Sequence, residues 1–380
     1  MCESSMCCCN LCFELFHISN IVLRYETPKK SFIIFVYYKR TEIDESSLKS
    51  FLQVSLCILV KQIRSDFMIL DISNSEFKNL FEDEKLFLPI RWDGYDFLHT
   101  LNGLFDYYIK KLNLLPNDGH DIRVDTKVVK SACGFLSKAV SHYLNGFPSK
   151  AYSSFERSMN IFMDRPLRIY QKSVTEQFKD RRNYRSNDDS LKLFRVTSVS
   201  DNKPYGRERV FHTPYNLRSK VSTSRYSIAG YPSLYLGTSL ELCCEEIHVN
   251  PHQDFALASI FKLEQTVEYS NTNIQVIELG VKPQDFLNIE RYNERHARRI
   301  DNSLLDNSSV RAAYLLWYPL IAACSYIRVN KKDPFAAEYI IPQLLMQWVR
   351  CEICSRPNNK DEYDQLIGIR YFSCASQKAS

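Results

Sequence analysis

The sequence predicts an α+β protein, with a small strand-rich start, a mostly helical stretch after it and a second region of strands and helices. Three observations carry this. Segments rich in β-branched and aromatic residues cluster early, at 21–25 (IVLRY), 31–38 (SFIIFVYY) and 66–72 (DFMILDI). Helical patterns then take over from Asn74 to about Asn145. A strand, turn, strand and helix follow at 222–247 (STSRYSIAGYPSLYLGTSLELCCEEI). A chain of 380 residues exceeds the usual size of a single core, so two domains are expected, 1–184 and 185–380.

Residues 1–12 hold five cysteines, among them the pair Cys9 and Cys12, whose spacing could supply two thiolates to zinc. The other such pair, Cys351 and Cys354, falls in the tail of an expected helix in the second domain. A shared zinc site is therefore not the expectation, and no metal is assigned. After the early strands, Val128, Ala132, Phe135, Leu136, Ala139 and Tyr143 share one helical face. Asn145-Gly146 and Pro148 end that helix, and 151–162 begins another. The polar stretch 179–190 (KDRRNYRSNDDS) reads as the linker. Beyond it, 255–263 and 274–279 read as strands, and 310–327 and 340–352 as helices.

Within 222–247, residues Ser224 to Ile228 alternate polar and apolar, Gly230-Tyr231-Pro232 breaks the chain, and Leu234 to Leu236 resume a strand. Thr238 or Ser239 caps the helix that follows, and Thr238 with Glu241 fits a capping box. Leu240, Cys243, Cys244 and Ile247 then make one apolar stripe, with Glu246 at its edge and Glu245 toward solvent. An arginine, a tyrosine and a half-buried carboxylate converging from adjacent elements suit an anionic nucleotide and a cationic sugar centre. The same residues equally fit a surface arginine, a core tyrosine and a solvated helix.

Composition narrows the classes. Hydrophobic residues make up 45% and charged ones 24%, as in an ordinary globular protein. The net charge of +5 comes without a dense basic run, so nucleic-acid binding is not indicated. The longest apolar run, 312–327, contains Pro319 and is shorter than a bilayer span of about 20 residues, so no membrane segment is expected. Thirteen cysteines, an odd number, without a visible signal peptide point to a reducing cytoplasm.

The segment 211–237 (FHTPYNLRSKVSTSRYSIAGYPSLYLG) closely resembles the RES domain family, in its long form with an N-terminal helical domain. Leu193-Phe194-Arg195-Val196 is similar to that family's first strand, 338–345 (EYIIPQLL) to its late helix, and 368–373 (GIRYFS) to its closing strand and serine. The resemblance covers about residues 190 to 376. It implies a fold like the split β-sheet of ADP-ribosyltransferases and an enzyme that takes NAD as substrate. Arg195 and Arg225 would then grip phosphates, Tyr235 would meet the nicotinamide ribose, Glu246 would stabilise the developing positive charge, and Ser373 would orient the nicotinamide end.

The sequence has no glycine-rich dinucleotide fingerprint, so NAD would be consumed and not cycled. The expectation is an NAD-degrading enzyme of toxin–antitoxin type, acting by hydrolysis or phosphorolysis. Its partner would be an antitoxin covering the cleft, or the N-terminal half acting in cis; oligomeric state is left open. A protein ADP-ribosyltransferase is the alternative. Less favoured are a HEPN-like ribonuclease, from the spacing of Arg291 and His296, and a non-catalytic nucleotide-binding module. Glu245 and Glu338 compete with Glu246 as the carboxylate, and His212 is a further contact candidate.

Overall fold

The computed structural model describes residues 16–20, 31–35, 74–115, 125–164, 191–200, 205–206, 209–249, 256–263, 274–284, 308–330, 332–355 and 365–374. The protein is α+β. Among the described residues seven strands form one sheet: β1 (Phe16–Asn20), β2 (Ser31–Phe35), β3 (Leu191–Ser198), β4 (Leu234–Gly237), β5 (Ala256–Leu263), β6 (Ile274–Leu279) and β7 (Gln365–Phe372). Their order is β1-β5-β3-β4-β2-β7-β6, and β6–β7 is the parallel pair.

The sheet is weakest in its middle. β3 pairs with β5 along its whole length, from Leu191 to Ser198, whereas β3 and β4 share a single pair, Phe194 with Gly237. β2 enters from the far end of the sequence and lies between β4 and β7. The expected strand at 31–38 is thus realised as Ser31–Phe35. The segments 21–25 and 66–72, the cysteines Cys9 and Cys12, the stretch 179–190 and the pair Arg291 and His296 lie outside the described residues.

Among the described residues seven α-helices accompany the sheet: α1 (Asn74–Phe81), α2 (Phe97–Leu112), α3 (Thr126–Leu144), α4 (Pro148–Asp164), α5 (Leu240–Ile247), α6 (Ser308–Ala323) and α7 (Ile340–Ser355). Gly146, at φ +79°, ends α3 in the left-handed conformation that a Cβ disfavours. The amide of Phe147 then returns to His142 O at 2.8 Å, and Pro148 opens α4. The buried face of α3 is Val129, Ala132, Cys133, Leu136, Ala139 and Val140. This corrects the expected stripe, since Val128 is exposed and Phe135 and Tyr143 are only half-buried. α3 packs between α2 and α4, which widens its buried face toward Cys133 and Val140.

Helix α6 is buried all round from Arg311 onward, which is why its sequence lacks amphipathic periodicity. Pro319 has no amide hydrogen to give to the carbonyl of Leu315 four residues back. Tyr108 of α2 supplies the missing donor, its hydroxyl lying 2.8 Å from Leu315 O. Trp317 Nε1 donates to Phe162 O at 3.1 Å and Tyr318 OH to Leu86 O at 2.9 Å, tying α6 to elements of the first half. One contiguous core therefore runs from α1–α4 through α6 and α7 to Ile369 and Tyr371 of β7. α6 stops at Ala323, earlier than the apolar run, because Ser325 O and the amide of Ile327 pair with the backbone of Ile90 instead.

Candidate functional site

The short helix α5 is capped by Ser239, whose hydroxyl accepts from the Leu242 amide at 3.2 Å; the expected pairing of Thr238 with Glu241 is not the cap. Leu242, Cys243 and Cys244 are buried, Leu240 is half-buried and Ile247 is exposed. The helix seats on β3 through Cys243, whose thiol donates to Phe194 O at 3.2 Å, so its buried side is rotated from the expected stripe toward Leu242. Burial pushes the Cys243 thiol up to about 12. With the helix in this phase Glu245 is exposed and Glu246 is half-buried. Ser373, buried just past β7, donates a hydrogen bond to Glu246 Oε1.

Residues 224–227 correct another expectation. They form a tight turn and not a strand: the Ser224 amide gives to Ser227 O at 2.8 Å and the Ser227 amide to Ser224 O at 3.2 Å. Small hydroxyl residues favour this over a ladder because their side chains find local partners. The turn is clamped from both sides. Gln343 Nε2 on α7 donates to Thr223 Oγ1 at 2.9 Å and Ser224 O at 3.0 Å, while the Tyr235 hydroxyl meets Ser224 Oγ at 2.6 Å and Ser227 Oγ at 2.9 Å. Both bonds of that phenol are thus taken inside the protein, which leaves the ring of Tyr235, and not its hydroxyl, for any ligand.

Arg225 projects from this turn. Its Nη1 donates to Cys324 O at 3.0 Å and its guanidinium lies over the Tyr339 ring at 5.0 Å. Arg195 on β3 gives Nη1 to Tyr235 O at 3.2 Å, so the guanidinium occupies the place where the β3–β4 ladder lapses. Its Nε is sealed from solvent without a partner, and burial lowers its pKa. Among the described residues neither arginine forms an ion pair with a carboxylate.

Tyr371 ties the group together, lying within electrostatic reach of Glu246, Tyr235 and Arg225; burial raises its phenol well above the ordinary range. The structure thus brings Arg225, Tyr235, Glu246 and Ser373 together around Tyr371, with Arg195 against the other edge of β4. His212 sits nearby, half-buried, its Nδ1–H donating to Thr213 O at 2.9 Å, and burial lowers its pKa. Glu338 is buried at the start of α7, in the turn Ala337–Tyr339. Sequence reasoning missed Gln343 and Tyr371 as site residues. Each stood inside a quoted motif, but only the turn geometry shows what a glutamine on α7 can reach.

Among the described residues no cluster of His, Cys, Asp and Glu has a metal-binding arrangement, and no helix is long and apolar enough to cross a membrane. No family model matches the chain, and no solved structure matches it. It is similar to a protein of Bacillus subtilis (strain 168) named "Putative toxin YopC", with 32% identity over 302 residues, 76% of this chain and 59% of that protein. The chain thus spans less than two thirds of that relative's length.

Proposed function

We propose that this chain is a toxin-like enzyme that breaks the nicotinamide–ribose bond of NAD. The observation that carries the reading is the pairing of Glu246 with Ser373 beside two arginines that have no carboxylate partner among the described residues. Buried guanidinium charge without a carboxylate is costly unless an anion completes it, and a pyrophosphate is such an anion. The resemblance of 211–237, 193–196 and 368–373 to RES domains and the toxin name of the relative support the same reading.

Arg225 and Arg195 hold the pyrophosphate. The Tyr235 ring bounds the nicotinamide ribose. As the C1′–N bond breaks, its electron pair leaves with nicotinamide and positive charge develops on the ribose, where the Glu246 carboxylate stabilises it. Ser373 fixes that carboxylate in one rotamer and lowers the cost of holding it there. Water or phosphate then attacks C1′ and loses a proton to solvent, giving ADP-ribose or ADP-ribose-1-phosphate. An enzyme of this kind in a cell requires restraint, by an antitoxin protein over the cleft or by the N-terminal half.

Incubating the full-length protein with NAD, with and without phosphate, and quantifying nicotinamide, ADP-ribose, ADP-ribose-1-phosphate and labelled protein tests this. Stoichiometric nicotinamide with one of the two small products is the expected result. Label on protein would move the function to ADP-ribosyl transfer, and absence of nicotinamide in every arm would remove the reading.

A further inference from the structure

We propose that Thr197 and Ser259 complete, around Arg195, a phosphoryl-binding subsite on the β3–β5 face. In an antiparallel pair, directly opposed residues project to the same face, and so do residues two apart on one strand. Arg195 opposes Ser259, and Thr197 follows Arg195 by two, so these three side chains share a face. Each carries a buried polar atom without a partner: Arg195 Nε, Thr197 Oγ1 and Ser259 Oγ. They are three of the six such atoms among the described residues, gathered on one stretch of two strands. Ser259 is 1% exposed, so its hydroxyl cannot simply turn to bulk water.

The chemistry of the set selects its ligand. A guanidinium Nε only donates, and both hydroxyls can donate, so the three together ask for an acceptor with several oxygens. A water would satisfy the hydroxyls but leave the charge of Arg195 uncompensated. A tetrahedral phosphoryl group satisfies all three at once. The neighbouring stretch of this face is shut by Phe211, whose ring centroid lies 6.3 Å from that of Phe261, the residue opposite Leu193. The other flank is the single-pair junction of β3 with β4, which the Arg195 guanidinium itself lines through its bond to Tyr235 O.

The subsite rests on the NAD reading only for the source of the phosphoryl group, which is either the pyrophosphate of NAD or free inorganic phosphate. The test uses the full-length protein and its variants Thr197→Val and Ser259→Ala, with Thr197→Ser retaining the hydroxyl. Affinities for ADP-ribose and for inorganic phosphate are measured by calorimetry, and KM for NAD and for phosphate by nicotinamide release. The two hydroxyl-removing variants should bind one of these probes about five- to tenfold more weakly, the loss of roughly one hydrogen bond. Thr197→Ser should bind as the parent does.

A rise in KM for NAD alone assigns the subsite to the pyrophosphate; a rise for phosphate alone assigns it to the co-substrate. Without ligand, both variants should melt at the parent temperature or above it, because they remove unsatisfied hydroxyls; a group with a purely structural bond would destabilise when cut. Unchanged affinity for both probes, or no binding of either by the parent, overturns the proposal. Weakened ADP-ribose binding in a protein that releases no nicotinamide would keep the subsite and remove NAD cleavage. Cleavage with silent variants would do the reverse.

Discussion

The hydroxyl of Ser373 donates to Glu246 Oε1, joining the end of β7 to α5 across 127 positions of sequence. A hydrogen bond to a charged acceptor contributes about 1.5–3 kcal/mol, and here it also chooses the carboxylate rotamer. Ser373→Ala should therefore reduce nicotinamide release about tenfold or more while leaving NAD affinity within about twofold. Steady-state kinetics alongside NAD titration check this, and a loss confined to affinity would place Ser373 on the ground state instead.

Gln343 holds the turn that carries Arg225 through Thr223 and Ser224. Replacing it with Leu keeps the volume but removes the donors, so the guanidinium should lose its fixed direction. NAD affinity should fall about tenfold, with a smaller change in turnover, since preorganisation is lost before chemistry. A melting temperature that drops while affinity stays constant would show the glutamine to be a packing residue only.

Beside β7, Glu278 pairs with Arg370 at 2.7 Å and accepts the Gly280 amide at 2.5 Å. A Cβ on Gly280 would lie 2.7 Å from Glu278 Oε1 and 3.3 Å from Arg370 Cγ. Gly280→Ala must displace this buried pair, and about 1–3 kcal/mol of stability should be lost, as for an overpacked core. Thermal unfolding reads that loss directly.

Stability should also fall at alkaline pH. Burial raises the Cys133 and Cys243 thiols to about 12, and lifts the Tyr108 and Tyr318 phenols well above their ordinary range. Above about pH 9 the unfolded chain releases these protons first, so the folded state binds more of them and stability declines as pH rises toward 12. Urea midpoints measured between pH 7 and 10.5 should decrease above pH 9; a flat profile would contradict the burial of these groups.

The sequence carried much of this fold where local chemistry decides the outcome. Gly146 with Pro148 marked the junction of α3 and α4, and the apolar run containing Pro319 marked a buried helix. Glu246 was legible as the inward carboxylate because Glu245 beside it must point away in any helix. The turn at 224–227 was not, since alternation of serine and tyrosine mimics a strand until Gln343 and Tyr235 are seen to hold it. Nor could Tyr108 be foreseen as the donor for Leu315 O, 207 positions away. The buried faces of α3 and α5 are rotated from the expected stripes toward Cys133 and Val140 in one and Leu242 in the other, because neighbours set them and the apolar stripe alone does not.

Glu246→Gln is the most direct test of the central claim, because it keeps size and most hydrogen bonding but removes the charge that, in the proposed reaction, faces the developing positive ribose. Nicotinamide release should fall about 10²-fold or more with NAD affinity nearly unchanged, the roughly 3 kcal/mol expected for one transition-state electrostatic contact. Glu245→Gln, on the exposed side of the same helix, should cleave NAD at the parent rate. Full activity in Glu246→Gln together with loss in Glu245→Gln would contradict both the assignment of the carboxylate and the chemistry built on it.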